Sequence, residues 1–184
     1  MLEDHLGGSL GRTHLDHGAL DWLIDQFAPT SYLDIGCGPG GMAELAESKG
    51  LQVQGIDGDH TLERYNPDRF LIHDFTKGPV TLEQQYDIGW SCEFVEHVYE
   101  EYIPNFMSAF KQCKVLMITY APPGWPGHHH VNCQPEQYWI DCLQDNGFTY
   151  SSDLTGQLRA HSTMNTHKKK KAFVRNRGLM FVNE

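Results

Sequence analysis

Leu33-Asp34-Ile35-Gly36-Cys37-Gly38-Pro39-Gly40-Gly41 is the stretch that decides the reading of this 184-residue chain. A short apolar run, closely spaced glycines and then a helix-forming segment describe a strand tip, a tight bend and a helix start. Glycine has no Cβ, so the bend can take positive φ and a ligand can approach the bare main chain, while Pro39 fixes φ near the helix entrance. The helix N-terminus adds free N–H groups. A nucleotide-like cofactor suits such a bend.

Two cofactor classes compete for it. Gly36, Gly38 and Gly41 satisfy the G-x-G-x-x-G pattern, in which a helix N-terminus faces a pyrophosphate and an acid roughly 20 positions later holds a ribose. Asp57 ends the next apolar run and fits that role. Asp34 separates the two classes: a carboxylate just before the glycines repels a diphosphate and suits a cationic, amine-bearing ligand. S-adenosylmethionine has a sulfonium, an amino group and no phosphate.

From Asp34 to Gly40 the chain resembles the first motif of the class I S-adenosylmethionine-dependent methyltransferases, and Gly55-Ile56-Asp57-Gly58 resembles their acidic second motif. His73-Asp74-Phe75 then resembles the adenine-contacting end of the third strand. Tyr86-Asp87-Ile88-Gly89-Trp90-Ser91-Cys92-Glu93-Phe94-Val95-Glu96-His97-Val98 resembles the fourth strand with its Glu-x-x-x-His element. The ordered match runs over about residues 30–150. It implies an α/β, Rossmann-like fold: a seven-stranded, mostly parallel sheet with an antiparallel last strand and helices on both faces. It also implies S-adenosyl-L-methionine as cofactor and methyl transfer to an oxygen or nitrogen of a small molecule, with a sugar or related metabolite as first candidate. An NAD(P)-binding oxidoreductase and a non-catalytic S-adenosylmethionine-binding protein are the alternatives.

On that resemblance, Asp34 meets the amino acid end of the cofactor, and Gly36, Cys37, Gly38 and Gly40 bring backbone close to it. Asp57, with Gly58 beside it, accepts both ribose hydroxyls. Asp74 accepts from the adenine amine with the Phe75 N–H as a companion donor. Ser91 and Cys92 offer carbonyls to the amino group, and Glu93 opens the substrate side. Methyl transfer from a sulfonium is an in-line displacement, so alignment and exclusion of water are the protein's main tasks.

Imidazoles are the general-base candidates. His97 stands four positions after Glu93, on the same face if that segment is helical. His128, His129 and His130 follow the proline-rich loop after the fifth strand, at the carboxyl edge where open α/β sheets bind ligands. Adjacent histidines in an extended loop point alternately, so the three converge only through a special turn. No metal is expected: His128 and His130 are the pair that an ion would use, a hard cation wants oxygen ligands, and no acidic cluster accompanies the loop.

Fourteen Lys and Arg against 24 Asp and Glu leave a formal charge of −10, which opposes nucleic acid phosphates and anionic membranes and favours a small-molecule acceptor. Lys168-Lys169-Lys170-Lys171 is the one charge run, read as a solvated connection or a foothold for an anionic substrate. Ser91-Cys92-Glu93 stands where amine-methylating nucleic-acid enzymes of this superfamily carry an Asn-Pro-Pro-Tyr type of element, which disfavours DNA adenine as acceptor. Five cysteines, an odd and scattered set, indicate reduced thiols and no structural zinc. No apolar run approaches the roughly 18 to 20 residues of a membrane span, and residues 1–5 lack signal-peptide character, so a cytoplasmic chain is expected. Oligomeric state is not legible.

The length and a hydrophobic fraction of 40% suit one domain: arm and helix over 1–28, cofactor-binding core over 29–146, and closing strands over 147–184. Periodicity predicts helices at 14–28, 39–49, about 61–65, 100–113 and 135–146. It predicts strands at 31–35, 51–56, 69–73, 87–91 and 114–120, with 148–154 and 172–182 as a closing antiparallel hairpin. The first helix and the arm before it read as structural, packing on the sheet, and the alternative is an arm that folds over the cofactor, as N-terminal segments do in relatives of the family that the motifs resemble.

Overall fold

Every residue of β1 (Ser31–Ile35) is buried, as a strand covered on both faces must be. It pairs in parallel with β2 (Gln52–Asp57) on one side and β4 (Tyr86–Ser91) on the other. The computed structural model describes residues 2–9 and 11–183. Outward from this centre, β3 (Phe70–Ile72) joins β2, and β5 (Cys113–Ile118) joins β4, both in parallel. Two further strands, β6 (Phe148–Tyr150) and β7 (Leu179–Asn183), complete a seven-stranded sheet of order β3-β2-β1-β4-β5-β7-β6. β7 runs antiparallel to both β5 and β6.

Side chains alternate between the faces with the period of a strand. Leu33, Ile35, Leu116 and Ile118 pack with α3 (Ile103–Phe110) and α4 (Glu136–Gln144) on one face. Tyr32, Ile88, Trp90 and Met117 pack on the other with α1 (His17–Phe27), α2 (Gly41–Ser48), α5 (Ser152–His161) and α6 (Phe173–Arg177). The order reverses between β1 and β4, and at such a switch point open α/β sheets leave a crevice at the strands' carboxyl ends. Among the described residues, no helix is long and apolar enough to cross a membrane.

Several boundaries differ from the sequence expectation for local reasons. Helix α1 starts at His17 rather than residue 14, because the buried Asp16 caps it: its Oδ1 accepts the Ala19 N–H at 3.0 Å. Residues 61–65 are not helical; Asp59 Oδ1 accepts from both the N–H and the hydroxyl of Thr61, an alternative to the helical ladder. The helix expected over 100–113 opens as a 3-10 turn, Glu100–Tyr102, before α3.

The expected antiparallel pairing of the last two strands is formed, by β6 and β7, but both strands are shorter than 148–154 and 172–182 and helices stand between them. After three residues of β6 the chain enters α5, capped by the Ser151 hydroxyl accepting from Leu154 N–H. It passes through α6 before returning as β7 between β5 and β6. Leu154 and Leu158, a helical i, i+4 pair set among polar residues, bury against the α1 face.

Candidate functional site

Where β1 ends, the chain must reverse into α2 within a few residues. Gly36 makes the turn with φ +72, and a Cβ there would lie 2.3 Å from the Phe94 ring, so both its backbone and its space demand glycine. The N–H groups of Gly36 and Cys37 donate to Ile56 O at 2.9 and 3.1 Å. Asp57 ties the bend from below: Oδ2 accepts the Gly38 N–H at 2.7 Å and Oδ1 the Asp59 N–H at 2.8 Å. Arg64 donates from Nε to Gly38 O and brings Nη2 to 3.6 Å from Asp57 Oδ1. Each Asp57 oxygen keeps lone-pair capacity for a further donor.

The bend opens into a cavity of about 590 Å³. Of the residues expected at a cofactor, Asp34, Gly36, Cys37, Gly38, Asp57, Gly58, Asp74, Phe75, Cys92 and Glu93 line it. Asp34 is buried with Oδ2 facing no hydrogen-bond partner. Burial, and then the charge of Asp57, raise its carboxyl to about 8, since desolvation penalises the ionised form.

Two of the expected cofactor contacts fall elsewhere. Gly40 caps α2 with φ +85 and turns its missing side chain toward the Phe70 ring, which a Cβ would meet at 2.3 Å. Ser91 is sealed in the core: its hydroxyl donates to Ile35 O and its carbonyl accepts the Thr119 N–H.

The segment after β4 is not the expected helix, so Glu93 and His97 do not share a helical face. Glu93 takes a left-handed φ of +55, uncommon for a residue with a side chain, and its N–H donates to Thr119 Oγ1 at 2.8 Å. Val95–His97 then forms a single 3-10 turn. Both side chains still reach the cavity. Arg177, whose guanidinium lies 4.6 Å over the Trp125 ring, places Nη2 3.4 Å from Glu93 Oε1. Burial outweighs this cation and lifts Glu93 to about 7.

Of the three loop histidines, His128 and His130 line the cavity and His129 does not. The special turn is at His129 itself, with φ +46, and its ring packs 5.4 Å from that of Tyr99. His130 sits edge-on to His97, ring centroids 4.9 Å apart. The N–H groups of Val131 and Asn132 donate to Glu96 O at 3.0 and 3.1 Å, which clamps the histidine loop onto the turn after β4. No acidic cluster adjoins the loop in sequence, but in space one acid does meet it: Glu96, His97 and His130 bring ligand atoms within 4.8 Å of one another. Desolvation lowers His97 to about 4.

The N-terminal arm supplies walls that the sequence reading named only as an arm. His5, Leu6, Ser9, Arg12 and Thr13 face the cavity. His5 Nε2 is 3.1 Å from Asp74 Oδ2, the Asp4 carbonyl meets His128 Nε2 at 2.8 Å, and Thr13 Oγ1 accepts the Gly41 N–H at 3.0 Å. Leu6 covers Gly58, where a Cβ would stand 2.3 Å from its Cδ2. Lys170 and Lys171, from the charge run, also reach the wall.

The methyltransferase-domain family matches residues 33–117, which hold the acid-glycine bend, Asp57 and Glu93. Residues 33–117 thus match a methyltransferase domain, over the stretch whose motifs resemble those of the class I S-adenosylmethionine-dependent methyltransferases. Similar folds occur among methyltransferase crystal structures. One is a TehB-like SAM-dependent methyltransferase from Corynebacterium glutamicum (TM-score 0.62, 18% identity, covering 92% of this chain and 89% of that one). The other is magnesium protoporphyrin IX methyltransferase from Synechocystis PCC 6803 with bound SAM (TM-score 0.57, 18% identity, 90% and 76%). At that identity the likeness is one of fold. Among curated methyltransferases, the ubiquinone biosynthesis O-methyltransferase of Nitrosospira multiformis is 30% identical over 122 residues, 61% of this chain and 48% of that protein. Its counterpart in Acinetobacter baylyi is 29% identical over 132 residues, 65% and 52%. The chain spans about half the length of the curated relatives it matches.

Proposed function

We propose that this chain transfers a methyl group from S-adenosylmethionine to an oxygen of a small, hydroxyl-bearing molecule. The observation that carries the reading is Asp34: a buried carboxylate with one oxygen unpartnered in the cavity wall. Buried charge needs a counter-charge, and a ligand presenting an ammonium there gains what a diphosphate would lose. Asp57 lies across the bend with acceptor capacity for ribose hydroxyls, while Asp74 and Phe75 close the far end. These residues fit the cofactor, whose sulfonium, when bound, supplies an electrophilic methyl group.

The chain's own work is positional. Phe94 packs on Phe75 and Phe106 and helps keep water from the cavity floor. His97 and His130 edge the acceptor end and are the side chains placed to receive a hydroxyl proton. His128 anchors the arm through the Asp4 carbonyl, and His129 supports the loop from outside the cavity. Oxygen is favoured over nitrogen because the curated relatives are O-methyltransferases. Residues 1–184 act as one methyltransferase domain, with 1–28 as arm and helix, and the free cysteines suit a reducing cytoplasm.

The test is transfer of label from methyl-labelled S-adenosylmethionine into a panel of hydroxylated aromatics, sugars and amines, read by mass. Label on a hydroxyl supports the reading. Label on an amine alone replaces oxygen by nitrogen, and absence of cofactor binding together with absence of label ends it.

A further inference from the structure

We propose that Glu96, His97 and His130 form a site for one divalent transition-metal ion at the acceptor end of the cavity. Their ligand atoms converge within 4.8 Å of one another, close enough for small side-chain rotations to bring all three onto an ion. Glu96 is fully buried, and among the described residues its oxygens meet no N–H or hydroxyl donor, only the neighbouring carboxyl of Glu93. His97 Nδ1 is likewise buried and unpartnered. Native interiors rarely leave such groups unsatisfied, and a cation between them would take lone pairs from both residues.

The surroundings match a metal centre. His130 Nδ1 is bonded to Trp125 O at 3.0 Å, which orients the ring and leaves Nε2 for the ion, the arrangement of metal-bound histidines. The Glu96 carbonyl holds the loop bearing His130 through two N–H groups. Arg177, the guanidinium of this corner, directs Nη2 to Glu93 rather than to Glu96. Two imidazoles and a carboxylate suit Zn²⁺, Mn²⁺, Fe²⁺ or Co²⁺ rather than the all-oxygen shells of Ca²⁺ and Mg²⁺. His97 and His130 edge the cavity, so the remaining coordination positions face the acceptor.

The chemical consequence rests on the methyl-transfer reading. An acceptor hydroxyl on the ion loses its proton to water more readily. Its oxygen then forms the O–C bond as the C–S bond breaks, with that electron pair returning to sulfur. His97 and His130 then act as ligands and need not be free bases.

The experiment titrates Co²⁺ into the chelator-stripped chain, following visible absorption, with S-adenosylhomocysteine calorimetry on the same samples. One Co²⁺ per chain is expected, displaced by Zn²⁺. His130→Ala should weaken Co²⁺ by ~10-fold or more, with folding checked by circular dichroism; Glu96→Gln is the second variant. His129→Ala and His5→Ala should bind Co²⁺ like the parent, the latter disrupting the other acid and histidine group, Glu3, His5 and Asp74. No saturable Co²⁺, unchanged affinity in His130→Ala, or loss in His5→Ala instead overturns the site. Retained S-adenosylhomocysteine binding alongside such a result leaves the cofactor reading standing, so the two fail separately.

Discussion

The Asp57 carboxylate accepts the Gly38 N–H at 2.7 Å, so the acid that closes β2 also holds the bend that follows β1. Arg64 completes the link by donating to Gly38 O. The glycine bend is thus held in shape by the strand end that would receive the ribose.

Asp57→Ala strips acceptors from the N–H groups of Gly38 and Asp59 and removes the ribose partner. It should weaken S-adenosylhomocysteine by roughly 1.5 to 3 kcal/mol, the range for hydrogen bonds to a charged group, or about tenfold and more. Isothermal calorimetry reads this directly, and unchanged affinity removes Asp57 from the site.

Asp34 makes binding pH-dependent. Its carboxyl is raised to about 8 in the ligand-free fold from an ordinary value near 4. Between those values the folded chain holds a proton that the unfolded chain has lost, so ligand-free stability falls as pH rises through the window. An ammonium ligand needs the carboxylate, so its binding expels the proton. Affinity for S-adenosylhomocysteine should rise toward pH 8, with proton release visible as a dependence of the calorimetric heat on buffer ionisation enthalpy. A flat profile, or proton uptake, contradicts this placement of charge.

Asp16 joins two distant helices. It caps α1 and accepts from Ser162 Oγ at 2.5 Å and Thr163 N at 2.8 Å after α5. Asp16→Ala should cost about 2 to 4 kcal/mol, a lost cap plus orphaned buried donors, as a lower urea midpoint with unchanged slope. A loss below about 1 kcal/mol would show that water replaces these bonds.

The bend and the strands β1, β4 and β5 were legible because their signals are local: an acid next to glycines, and short, largely apolar runs that suit strands covered on both faces. Helix α5 was not, because Leu154 and Leu158 are separated by polar residues and Gly156, and their burial comes from α1, which no window on 148–160 contains. Glu96 was hidden similarly. It looks like one more acid beside Val95 and His97 until the histidine loop folds back to hydrogen-bond its carbonyl. His129 was misplaced for the opposite reason: a trio of identical residues gives no hint of which one turns left-handed, and that turn decides which rings reach the cavity. Gly40 and Ser91 sit within motifs whose neighbours do line the cavity, and a motif does not reveal which of its members are spent on packing.

Leu6 lies over Gly58, so the arm covers the β2 end of the cavity. Leu6→Ala should speed S-adenosylhomocysteine dissociation several-fold in stopped-flow fluorescence while leaving the unfolding midpoint nearly unchanged, because Leu6 is not among the core residues. Identical dissociation rates would show that the arm plays no part in retaining the ligand.

The direct test of the central claim, that Asp34 chooses a cationic ligand, is parallel calorimetry at pH 8 with S-adenosylhomocysteine and with NAD⁺, on the parent chain and on Asp34→Asn. The account predicts saturable heat with S-adenosylhomocysteine, none with NAD⁺, and a loss of ~10-fold or more in S-adenosylhomocysteine affinity in the variant. Saturable heat with NAD⁺ and silence with S-adenosylhomocysteine, or an Asp34→Asn variant that binds S-adenosylhomocysteine like its parent, would contradict it.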